Sequence, residues 1–192
     1  MRRMIRLRWA ILLTVCAVLA GGLAMLAVAD PFHLRYARWF TAGLVLATLV
    51  LLTAALAVIA RRGLLRVLVL VGGGIAIVGW TAVVWLAAQL DVENRVVSEA
   101  ADGNRRLLVV EGSPIAIDPI YAVVLRSGGG PFEQEALVYQ GLEEMPAPSG
   151  VRFVDGGAVE VQVGSNCRYR STVEGGTMAV EPVHRPLRLG TC

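Results

Sequence analysis

Cys167 and Cys192 are the residues of the second half of the chain whose type and spacing offer chemistry most directly. In an oxidising compartment two such thiols pair, and a bridge between them would close a loop of about 25 residues. The chain-entropy model gives that closure roughly 3.5 kcal/mol and ties the C-terminal residue to a strand. Two other fates stay open, namely unpaired or intermolecular thiols and a metal site that adds His184. The metal alternative is weak, since three loosely spaced ligands lack the Cys-x-x-Cys pair of a structural zinc site.

Hydrolytic chemistry needs a nucleophile, a base and a group that orients the base, and His184 is the sole histidine after residue 90. Ser113, Ser127 and Ser149 are available, yet none sits in a Gly-x-Ser-x-Gly elbow. His184, beside Arg185-Pro186, reads as a surface residue at a strand end. Asp118-Pro119 and Glu143-Glu144 read as turn and solvated-surface carboxylates. The glycine clusters do not make a phosphate cradle, which follows a strand and opens a helix. Gly128 to Gly130 runs through Pro131 towards another strand, and Gly72 to Gly74 lies inside an apolar run. No catalytic residue, metal ligand or cofactor-binding residue is therefore nominated, and no cofactor is expected.

The elements that position these residues belong to a membrane protein. Of 192 residues 56% are hydrophobic, against roughly 45–50% in an ordinary soluble domain. The net charge of +3 hides a division. Residues 1–90 hold nine Arg against Asp30 alone, whereas residues 91–192 hold nine Arg against fourteen Asp and Glu. The second half is acidic and repels phosphate backbones, so nucleic acid is not an expected partner.

Three uncharged or nearly uncharged runs, at about 9–29, 39–60 and 67–90, each reach the roughly 20 residues that cross a hydrocarbon core of about 30 Å. Asp30-Pro31 stops the first run, and Arg61-Arg62-Gly63 separates the second from the third. Positive residues stay on the cytoplasmic side. Arg2, Arg3, Arg6, Arg8, Arg61, Arg62 and Arg66 outweigh Arg35 and Arg38 of the first loop, so the N-terminus is expected inside and residues 91–192 outside. Ala27-Val28-Ala29 resembles a signal-peptidase site, but the apolar run before it exceeds the usual 7–15 residues, which favours an uncleaved signal-anchor helix. Cys16 follows a bulky Val15, so it reads as a buried apolar residue rather than a lipid attachment site.

The spans lack internal ionisable residues apart from Arg66 at an edge, which argues against transport by this chain alone. Small residues recur at four-residue intervals: Cys16, Ala20 and Ala24; Gly43 and Ala47; Gly72 and Ala76. Such spacing lets helix backbones approach closely, within the chain or against a membrane-protein partner or second copy.

From Asp91 onward short alternating runs are divided by turn residues. Val159, Val161 and Val163 alternate with Glu160 and Gln162, as in a strand with one buried face. Asp102-Gly103-Asn104, Asp155-Gly156-Gly157 and Glu174-Gly175-Gly176 are hairpin-type turns. Further strands are expected at 107–110, 120–126, 136–140, 151–154, 169–173 and 178–183, with a core of Leu108, Val110, Val123, Leu125, Val138, Phe153, Val159, Val161, Val163, Tyr169 and Val180. The expected architecture is a three-helix transmembrane bundle (1–90) followed by a small all-β antiparallel domain (91–192), a sandwich or open barrel on the extracytoplasmic side. The expected role is a non-enzymatic membrane-anchored domain that binds or scaffolds at the cell surface. An accessory or sensory subunit of a membrane complex is the alternative, and a surface hydrolase comes third. The chain is free of Lys and rich in Arg, Ala and Val, a composition in keeping with a bacterial source.

Overall fold

The computed structural model describes residues 2–60, 63–90, 95–112, 120–142, 145–154 and 157–186. The chain divides into two compact units, one of Met1–Asp30 with Ala37–Asp91 and one of Pro31–Tyr36 with Val92–Cys192.

The first unit is helical: α1 (Arg2–Ala29), α2 (Ala37–Ile59) and α3 (Gly63–Gln89). All three are long and apolar enough to cross a membrane. Each begins a few residues before its uncharged run, because Arg, Ala and Leu sustain a helix whether or not they suit a hydrocarbon interior. α1 ends on a left-handed residue, Asp30 at φ 39°, whose N–H donates to Leu26 O at 3.2 Å. This is the single-bond cap that usually employs glycine, and Pro31 behind it prevents continuation.

α2 packs on both α1 and α3. α1 buries Ala10, Ala17 and Ala24, a seven-residue spacing that forms one seam. Gly21 approaches Thr48, and a Cβ at Gly73 would overlap the Thr53 side chain. The hydroxyls of Thr14, Thr41, Thr48, Thr53 and Thr81 each donate to the carbonyl four residues earlier. That back-bonding satisfies a polar group where water is scarce. α3 turns a narrow stripe of Gly73, Ile77, Trp80, Val84 and Ala88 inward and exposes most of the rest.

The second unit carries two four-stranded antiparallel sheets, in the orders β1-β2-β3-β4 and β5-β6-β7-β8. The strands are β1 (Arg95–Asp102), β2 (Arg105–Gly112), β3 (Ile120–Ser127), β4 (Gln134–Gln140), β5 (Pro148–Val154), β6 (Ala158–Val163), β7 (Cys167–Val173) and β8 (Val180–Glu181). Asp102 pairs with Arg105 across Gly103-Asn104, with Gly103 at φ 58°. Such a two-residue turn requires a backbone conformation that glycine adopts freely. Of the turn expected at 155–157, Asp155 and Gly156 lie outside the described residues. β8 is shorter than the expected run of 178–183. Met178 takes φ 60°, outside the strand region, and Pro182 has no N–H to donate to a ladder.

One core cluster draws on both sheets: Leu107, Val109, Val123, Leu125, Ala136, Val138 and Tyr139 from the first, and Val159, Val161, Val163, Met178 and Val180 with the second. Phe153 and Tyr169 pack against it partly buried. Leu108 and Val110, expected in this core, instead join Val124 in a second cluster. Leu107 to Val110 is an unbroken apolar run, so period two cannot choose a face, and both faces of β2 are buried. In β4 a bulge leaves Val138 opposite no single partner, between the pairs Val124–Leu137 and Val123–Tyr139. The extra residue lets adjacent Val138 and Tyr139 both enter the core.

Candidate functional site

β4 is the last strand of its sheet, and an edge strand offers unpaired N–H and C=O groups to any passing segment. Two distant pieces of the same unit occupy that edge. Near its start, Glu135 N–H donates to His33 O at 2.8 Å and Arg35 N–H donates to Glu133 O at 2.9 Å, with Leu34 facing Gln134 in an antiparallel bridge. Near its end, Gln140 N–H donates to His184 O and His184 N–H to Val138 O, both at 3.0 Å. The loop between α1 and α2 thus belongs to the β domain, joined to β4 by an isolated β-bridge and its flanking backbone bonds.

Side chains lock the loop in place. Arg35 Nη1 meets Glu133 Oε2 at 2.6 Å, and Arg106 Nη2 meets the other oxygen at 2.9 Å. Glu133 is buried, with 4% of its surface exposed. A carboxylate so desolvated is tolerable only when charge and hydrogen bonds surround it, as the two guanidinium groups do here. The hydrogen bond to Glu133 raises the Arg35 pKa above its ordinary value. Glu135 accepts from Arg126 Nε at 2.6 Å and lies 3.8 Å from Arg35 Nε. His33 sits at φ 50°, in the left-handed region, and its Nδ1–H donates to Thr177 O at 3.0 Å. Gln134 Nε2 donates to Phe32 O at 2.9 Å. Backbone pairing, an ion-pair cluster and two side-chain bonds therefore converge on the short stretch from Phe32 to Arg35.

The residues nominated for chemistry are engaged elsewhere. His184 is half-buried: its Nε2–H donates to Arg170 O at 3.1 Å, and its ring lies 4.9 Å from that of Tyr169. It is a link between β4 and β7, rather than a plain surface residue. Ser149 Oγ donates to Gly164 O at 3.1 Å. Ser113, Asp118, Glu143 and Glu144 lie outside the described residues. Among the described residues, no three His, Cys, Asp or Glu side chains are grouped to hold a metal. Cys167 opens β7, packed at the core margin; Cys192, and with it the expected bridge, lies outside the described residues. Cys16 is a free, half-buried thiol. Tyr139, fully buried, has its pKa pushed up to about 12 by desolvation and, to a lesser degree, by Tyr169.

Of the helix-packing candidates, Ala24 is buried, while Cys16, Ala20 and Ala47 are half-buried. Gly43, Gly72 and Ala76 face outward, and no atom lies near a Cβ placed on Gly43 or Gly72. Gly21 and Gly73 mark the close approaches instead. Of the topology residues, Arg6, Arg8 and Arg66 are exposed, and Arg61 and Arg62 lie outside the described residues.

Sequence reasoning counted Arg35 only as a charge in the first loop. Its carboxylate partner carried no signal in the sequence; it is the observed register that sets Arg106 opposite Arg126 across the β2–β3 pair. Like charges directly opposite are unfavourable unless carboxylates stand nearby, and Glu133 and Glu135 follow within ten residues. No family model, curated protein or solved structure matches this chain.

Proposed function

We propose that this chain is a non-enzymatic membrane protein that presents an extracytoplasmic β domain, a small sandwich, for binding or scaffolding at the cell surface. The observation that carries it is the capture of the α1–α2 loop by β4. The domain is joined to the helices by three covalent connections, at Asp30–Pro31, Tyr36–Ala37 and Asp91–Val92. A tether needs one; three are in keeping with a domain that the helices present. Parity supports the placement, since three crossings put the first loop and residues 91–192 on one side, as their shared unit requires. The excess of Arg before α1 and between α2 and α3 favours the outer side for both. An oxidising exterior suits a Cys167–Cys192 bridge. The engaged His184 and Ser149 favour a non-enzymatic domain over a hydrolase.

The same loop gives weight to a second role, an accessory or sensory subunit, because the segment that joins α1 to α2 belongs to the β domain. One experiment separates the two. The full chain and a version ending at residue 90 are isolated from native membranes in mild detergent, and the proteins accompanying each are identified. Partners seen only with the full chain support the presenting domain, partners retained by the helices alone support the subunit, and none with either overturns both. A cytoplasm-dependent reporter should work at Arg8 and be silent after Cys192; activity at Cys192 overturns the orientation.

A further inference from the structure

The helical unit contains a cleft of about 500 Å³ at one end, where the close of α1, the start of α2 and the second half of α3 diverge. Its walls include Ala27, Trp39, Ala42, Trp80, Val84 and Ala88. The volume falls within the ~300–1,000 Å³ of small-molecule sites. Alanines occupy three of these wall positions, and two tryptophans line the remainder with Val84. The Trp80 ring is anchored, because its Nε1–H donates to Ala42 O at 3.0 Å, and a bonded indole does not swing in to fill the gap. The Thr41 hydroxyl on the wall is likewise bonded to Ala37 O at 2.9 Å. With these polar atoms satisfied internally, the deep wall offers water few partners, and a cavity holds water only when it supplies two to four hydrogen bonds. The more polar Asp30 and Arg38 lie at the ends of α1 and α2, the level at which a span meets the interface.

We infer that this cleft is a binding site for one hydrocarbon chain of a membrane lipid, with the head group at the Asp30–Arg38 end. The site differs from ordinary lipid contact along α3. A chain on an exposed helix face touches protein on one side and exchanges freely, whereas a chain in the cleft touches three helices and displaces no favourable water. The wall aromatics supply broad apolar area, and the alanines leave the room.

The test uses the intact protein in phosphatidylcholine vesicles in which one acyl chain carries a diazirine, with crosslinked peptides mapped after illumination. Label concentrated on Ala27, Ala42, Val84 and Ala88 is expected, with sparse label on the outward residues Leu68, Val71 and Ile75. Ala88→Trp should cause loss of the cleft label; Ala82→Trp, on the outer face of α3, should leave it unchanged. The wild-type distribution decides even if Ala88→Trp does not fold. Label spread evenly over all outward faces, with the cleft no richer, overturns the site while leaving the membrane assignment intact. Absence of label from all three helices overturns both.

Discussion

Val67 to Val71 of α3 and Leu107 to Val110 of β2 are written in the same two residues, Leu and Val, and meet opposite fates. Leu68 and Leu70 are 59% and 48% exposed, whereas Leu107 and Leu108 are 0% and 3% exposed. Hydrophobicity does not by itself decide burial; the surrounding medium does. In water each exposed Å² of apolar surface costs about 25 cal/mol, so β2 is covered on both faces. In the proposed bilayer, lipid tails are as apolar as Leu and the drive to cover α3 vanishes. The helices are then held by close small-residue contacts, at Gly21–Thr48 and Gly73–Thr53, and the β domain by volume.

This contrast breaks if truncation costs the same in both places. Leu107→Ala should destabilise the β domain by about 2–5 kcal/mol, the usual cost of a buried cavity. Leu68→Ala should fall within ~0.5 kcal/mol, as exposed substitutions do. All four tryptophans, at 9, 39, 80 and 85, lie in or at the ends of the helices. Tryptophan fluorescence of the detergent-solubilised chain therefore follows the helical unit, while hydrogen exchange of the β2 and β3 amides follows the other.

A disulfide would sharpen the contrast, since the helices have no equivalent staple. Cys167→Ser and Cys192→Ser should each cost the domain up to ~3.5 kcal/mol, and the double variant should be no worse than either, since a single bond is lost in every case. Peptide mapping of non-reduced protein tests the bond directly: two free thiols would remove the staple and weaken the extracytoplasmic placement.

Glu133→Gln addresses the charged edge of β4. The carboxylate is buried but Arg35 and Arg106 retain 34% and 44% of their side-chain surface, so water compensates them in part. A loss of about 1–3 kcal/mol is expected rather than the 3–5 of a fully buried pair. The affected amides should be those that close the loop onto the sheet, Arg35 and Glu135, which exchange faster in the variant. Unchanged exchange at both would show that backbone pairing alone retains the loop.

What could be read without coordinates follows the range of the forces involved. Helices α1 to α3 announce themselves by uninterrupted length, and β6 by the alternation of Val159, Val161 and Val163. The face of β2 could not be read, because four apolar residues in a row fit either register. Nor could the helix seam: Gly72-Gly73-Gly74 offers three glycines to one contact, and the spacing rule selected Gly72 where α2 meets Gly73. The capture of Pro31–Tyr36 by β4 joins residues about a hundred apart, and local pattern carries no information over that separation.

The smallest effect concerns Tyr139, a phenol in a core otherwise almost free of polar atoms. Its hydroxyl has a weak partner, Met145 Sδ at 3.9 Å, so Tyr139→Phe should change stability at neutral pH by no more than ~1 kcal/mol. Alkaline conditions separate the two proteins. The folded-state pKa is pushed up to about 12 from an ordinary 10, so below pH 10 folded and unfolded chains both keep the proton and the group adds no slope. Between pH 10 and 12 the unfolded chain releases it first, and stability falls as pH rises, by an amount approaching 2–3 kcal/mol at ~1.4 kcal/mol per unit. A phenylalanine ring cannot ionise, so the variant should lose less stability over this interval than the parent. Parallel slopes for the two proteins, measured by exchange of the β3 and β4 amides, would mean that the Tyr139 hydroxyl is hydrated and the core less dry than its packing implies.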